Sequence, residues 1–92
     1  MRDDTPIVYL LAGPSGPGKD AYVQALTERG VQRLQVGTSL TDESAAAVTA
    51  HLESGRDVLV DYASATRDER SRLRLLADAS RAESLIVNFA TR

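Results

Sequence analysis

The sequence predicts an α/β fold built on a parallel sheet, and three observations predict it. Apolar runs of strand length alternate with amphipathic segments of helix length along the whole chain. The runs are nearly continuous in their apolarity, as in strands covered on both faces, and not alternating as in half-solvated ones. Successive runs are separated by helical segments of about a dozen residues, enough for the right-handed crossovers that parallel pairing needs. At 92 residues there is room for one thin core, so residues 1–92 read as a single domain.

The first strand is Ile7-Val8-Tyr9-Leu10-Leu11-Ala12, an apolar run between a proline and a glycine-rich turn. Gly18 to Arg29 reads as a helix with Tyr22, Val23, Ala25 and Leu26 inward, stopped by Gly30. Val31 to Val36 is a strand that Gln32, Arg33 and Gln35 make polar enough for an edge. Thr41 or Asp42 caps a second helix that ends near Ser54 and Gly55, with Ala45, Val48 and Leu52 as its apolar stripe. Asp57 to Tyr62 is the third strand. Thr66 with Glu69 three residues on has the pattern of a capping box, and its helix runs to about Ala82 with Leu73, Leu76, Ala77 and Ser80 on one side. Ser84 to Phe89 is the fourth strand, and its Leu85-Ile86-Val87 centre carries no proline or charge to guard an edge.

Composition closes off several functions. There is no cysteine, so disulfides, thiol catalysis and zinc-thiolate sites are excluded. His51 is the one histidine and cannot build a multi-histidine metal site. No apolar run approaches the ~20 residues of a membrane span, and the acidic, polar start is unlike a signal peptide. A cytoplasmic protein with no membrane partner is the expectation. The formal charge of −2 gives no general attraction for nucleic acid, which is not expected as a partner. The basic residues are all arginine but one, and that one, Lys19, stands in Gly13-Pro14-Ser15-Gly16-Pro17-Gly18-Lys19-Asp20.

That stretch fits G-x-x-x-x-G-K between a strand and a helix, the setting in which the pattern binds phosphate. Glycines let successive backbone N–H groups turn inward as an anion nest, and the helix N-terminus adds a positive dipole end. Gly13, Ser15, Gly16, Gly18, Lys19, Asp20 and Ala21 are the candidate phosphate-binding residues, with Lys19 at a loop exit and outside the core. Two positions depart from the pattern. Asp20 stands where a magnesium-binding hydroxyl is usual, and Pro17 lacks the N–H that a cradle would use.

Gly13 to Lys19 resembles the Walker A loop of P-loop NTPases. The fuller GPSGPGKD is similar to the guanylate-kinase-like group, above all ribose 1,5-bisphosphate phosphokinases, and some nucleoside monophosphate kinases also carry GKD. A hydroxyl residue often follows that Asp in those relatives, whereas Ala21 follows it here. Gly55 to Ala63, followed by Arg67, Arg70, Leu73, Leu76 and Ala77, resembles small P-loop kinases of the polynucleotide-kinase and zeta-toxin type, among the AAA family ATP-binding proteins. The resemblance implies a three-layer sandwich with four parallel strands in the order 2-3-1-4. It also implies ATP and Mg²⁺ as cofactors. The implied activity is phosphoryl transfer to a small hydroxyl or phosphate acceptor. Lys19 would neutralise phosphate charge, Asp20 and Asp61 would hold the metal, and Asp42 would orient or deprotonate the acceptor.

Each of these residues has a plainer reading. Asp61 is also a strand-end aspartate that caps a turn, and Asp42 is also a helix N-cap. Arg67, Arg70, Arg74 and Arg81 share a helical face that either meets substrate phosphates or is a solvated surface paired with Asp68, Glu69 and Asp78. Relatives of this type carry an arginine-bearing lid and a further strand with no counterpart here. The alternative to an active kinase is therefore a non-catalytic nucleotide-binding remnant, or the N-terminal portion of a longer kinase. The apolar fourth strand is expected to be an exposed edge through which the chain self-associates.

Overall fold

The computed structural model describes residues 5–14 and 16–89. Its elements run β1 (Ile7–Ala12), α1 (Pro17–Glu28), β2 (Gln32–Val36), α2 (Asp42–Glu53), β3 (Val58–Tyr62), α3 (Arg67–Ala79) and β4 (Glu83–Asn88). All strand pairs are parallel and the sheet order is β2-β3-β1-β4, as the sequence predicts.

Alternation along the strands divides the core into two. Val8, Leu10, Val58 and Val60 point to one face, where Val48 and Leu52 of α2 and Leu73 and Ala77 of α3 cover them. Tyr9, Leu11 and Leu59 point to the other face and meet Val23 and Leu26 of α1. One helix on one face and two on the other make the three layers, with β1 and β3 buried between them. β2 takes the polar edge that its Gln32, Arg33 and Gln35 suggest.

The ends of the elements correct several expectations. α1 begins at Pro17, so the proline occupies a first-turn position where a missing N–H costs the helix nothing. Thr41 caps α2 by accepting from the Ser44 N–H at 3.0 Å, and Asp42 is the first helical residue, not the cap. Ala25, expected inward, is exposed. α3 stops at Ala79 instead of near Ala82 because Arg81 turns left-handed at φ 56°. Gly30 and Gly55 do the same after α1 and α2 at φ 91° and 80°, but without a Cβ to resist it. Thr66 accepts from the Glu69 N–H at 3.2 Å, which is half of the expected capping box. The other half is absent because the Glu69 carboxylate is used elsewhere: it accepts from the Leu40 N–H, the Ser39 hydroxyl and the Tyr62 hydroxyl. Arg72 donates to the Leu40 carbonyl at 2.5 Å from the same helix. Together Glu69 and Arg72 fasten the β2–α2 loop to α3.

Candidate functional site

Lys19, Asp61 and Gly13 meet at the carboxyl ends of the two central strands. Open parallel sheets take ligands at that end, beside the point where successive crossovers go to opposite faces. Here α1 leaves β1 on one side and α2 and α3 lie on the other, so the point falls between β1 and β3. A cavity of about 360 Å³ opens there, lined by Gly13, Lys19, Gln35, Val36, Gly37, Asp61 and Ala63.

Gly13 sets the exit of β1. Its φ is +138°, and a Cβ at this position would lie 2.3 Å from the Phe89 carbonyl oxygen, so no other residue fits. Its N–H continues the sheet by donating to the Tyr62 carbonyl at 3.2 Å, while Phe89 donates to the Ala12 carbonyl at 2.8 Å. Gly16 and Gly18 differ in kind: a Cβ on either would face open space. Ser15 lies outside the described residues.

Lys19 is the third residue of α1 and is 5% exposed, not at an exposed loop exit as the sequence suggests. Burying an unpaired ammonium costs several kcal/mol, and three acceptors offset that here. Nζ donates to the Gly13 carbonyl at 2.6 Å and the Tyr62 carbonyl at 2.7 Å, and pairs with Asp61 Oδ1 at 2.5 Å. The other carboxylate oxygen of Asp61 accepts from Arg33 Nη2 at 2.9 Å. Burial alone would raise the pKa of Asp61, but the hydrogen bonds and charges of Lys19 and Arg33 outweigh it and hold the carboxyl below its ordinary range.

The other predicted residues do not converge on this cavity. Asp20 is exposed on α1 and borders a separate hollow of about 330 Å³ with Val23, Gln24, Thr27 and Arg33. Ala21 is exposed on the same helix. Asp20 and Asp61 thus border different cavities, with Arg33 reaching from the hollow of the first to the carboxylate of the second. Both oxygens of Asp61 are engaged by cations, and among the described residues no group of three His, Asp or Glu side chains is placed to hold a metal. A magnesium ion here would have to draw its ligands from nucleotide phosphates, from water and from a carboxylate released by these cations. The Asp42 side chain is fully exposed at the start of α2, 3.6 Å from Arg72 Nη2, and does not line the cavity. Nor do Arg67, Arg70, Arg74 and Arg81. Arg70 donates to the Ala65 carbonyl at 3.0 Å, and Arg81 lies beyond the end of α3. Among the described residues, the ion pairs made from α3 run through Arg72, to Glu69 and to Asp42.

Two features of the site escape the sequence reading. The sequence marks Arg33 only as part of a polar edge strand, yet it holds half of Asp61. Its spacing of two from Gln35 does place both on the face from which Asp61 projects. Tyr62 donates its hydroxyl to Glu69 under the loop at the mouth of the crevice, and burial, reinforced by that carboxylate, pushes its phenol well above its usual range. No local pattern announces this pair.

No protein-family model matches the chain, and no curated protein does. The crystal structure of APE1195 is similar in fold, with a TM-score of 0.65 at 16% sequence identity. The match takes in 97% of this chain and 63% of APE1195. Among the described residues no helix is long and apolar enough to cross a membrane.

Proposed function

We propose that the crevice between β1 and β3 binds the polyphosphate tail of a nucleotide such as ATP, as a phosphate-loop module of kinase-like descent. The observation that carries this reading is the placing of Lys19. It is a buried ammonium in the first turn of the helix that follows the central strand, beside a polar cavity at the ligand-binding end of the sheet. The open space over Gly16 and Gly18 supports it, because a ligand can approach the backbone there. Phosphoryl transfer to a small acceptor needs more: a group that orients the acceptor and a charge-neutralising metal site. Asp42 and the Asp20–Asp61 pair, the residues proposed for those tasks, lie away from the crevice or are already engaged. The geometry therefore favours nucleotide binding without turnover over an active kinase. We propose a cytoplasmic setting, one of the compartments that hold ATP. We also propose that the outer edge of β4 pairs with a second copy of the chain.

The test is ATP titration by calorimetry against the wild type and Lys19→Gln, with circular dichroism to confirm that the variant folds. Losing one charge-assisted contact to phosphate is expected to weaken binding by roughly 10–150-fold. Equal affinities, or no binding by either the wild type or a folded Asp61→Asn protein, would overturn the reading.

A further inference from the structure

Asp61 sits between two cations as a ligand would. One carboxylate oxygen faces the Lys19 ammonium and the other faces the Arg33 guanidinium, at 2.5 and 2.9 Å. A phosphate group asks for the same arrangement, two adjacent oxygens each taken by a charged donor. Lys19 has its remaining donors committed to backbone carbonyls, so Asp61 occupies its one contact with another charge. Arg33 is different. Its side chain is 45% exposed, and it reaches Asp61 from the edge strand past the hollow that Asp20 borders. It can turn toward an incoming anion without leaving the sheet.

We propose that Asp61 is a built-in stand-in for the ligand, and that Lys19 and Arg33 together are the receptor for a metal-free diphosphate or triphosphate group, which binds in competition with the Asp61 carboxylate. The proposal rests on the phosphate-binding reading above and adds two things to it: Arg33 as a binding residue, and a carboxylate that opposes occupancy. In the empty protein the carboxylate satisfies a buried ammonium. Toward a ligand it is a fixed negative charge set against two positive ones. A metal-ligand role would have the opposite sign, since losing the carboxylate would then weaken nucleotide binding.

The experiment titrates inorganic pyrophosphate, with a chelator present, into the wild type, Asp61→Asn and Arg33→Met. Asparagine keeps the shape and removes the charge, so Asp61→Asn is expected to bind about tenfold tighter or better than the wild type. Arg33→Met is expected to bind about tenfold more weakly than the wild type, having lost one charged donor. Binding by Asp61→Asn alone, with none by the wild type, supports the proposal. Equal or weaker binding by a folded Asp61→Asn protein, with the wild type still binding, overturns the stand-in role and leaves the phosphate site intact. Absence of binding by both folded proteins removes the phosphate site itself. Should circular dichroism show Asp61→Asn unfolded, Arg33→Met decides alone, and an unchanged affinity there overturns the proposal.

Discussion

Two carboxylates, Asp61 and Glu69, each hold segments that are distant in sequence, and both are kept ionised below their ordinary range. For Glu69, burial works against ionisation. The Leu40 N–H, the Tyr62 and Ser39 hydroxyls and the Arg72 charge win over it. Asp61 is held in the same way by Lys19 and Arg33. A carboxyl with a lowered folded-state pKa adds stability that is fully present above its unfolded value and is lost as pH falls toward the folded one. Thermal melts are therefore expected to be flat from neutrality to about pH 5 and to fall steadily below about pH 4.5. Glu69→Gln should melt lower at neutral pH and show a shallower acid decline. An acid decline as steep as that of the wild type would remove Glu69 from the account.

At the scale of elements, the third helix ends on the one described non-glycine residue with positive φ. Arg81 takes the position that Gly30 and Gly55 take after the other two helices. The left-handed conformation costs a side chain on the order of 1 kcal/mol or more, while glycine adds backbone entropy to the unfolded chain. Arg81→Gly is expected to gain about 0.5–1 kcal/mol net, read as a higher denaturant midpoint with an unchanged slope. A lower midpoint would mean that the arginine makes a contact outweighing its strain. This turn also marks what sequence can carry. Apolar runs, a cap threonine and glycine stops are signals between near neighbours, and they give the element order and the place of Lys19. The end of α3 is misjudged because the glycine that stops the other helices is missing. The capping box is half misjudged because Glu69 bonds Leu40, 29 residues away, in preference to its own helix start. Arg33 and Asp61 are 28 residues apart, and only the register of β2 on β3 brings them together. Contacts of that kind depend on the whole sheet and leave no local pattern.

For the whole molecule, the two edges of the sheet are unequal. β2 ends the sheet with glutamines and an arginine, which hinder pairing with another strand, whereas β4 ends it with Leu85, Ile86 and Val87. Leu85 is 46% exposed on the side that α1 leaves uncovered. Association through this edge is expected to appear in light scattering as a mass that rises with protein concentration, and Leu85→Lys is expected to abolish it. A wild-type mass that stays monomeric at millimolar concentration would dismiss the edge as an interface. The position of β1 has a different consequence. Of the four described strands, the earliest in the sequence lies in the middle of the sheet, and its neighbours are the third and the fourth. During synthesis on a ribosome, the apolar run from Ile7 to Ala12 thus lacks both of its partner strands in this sheet until Val58 to Tyr62 has emerged.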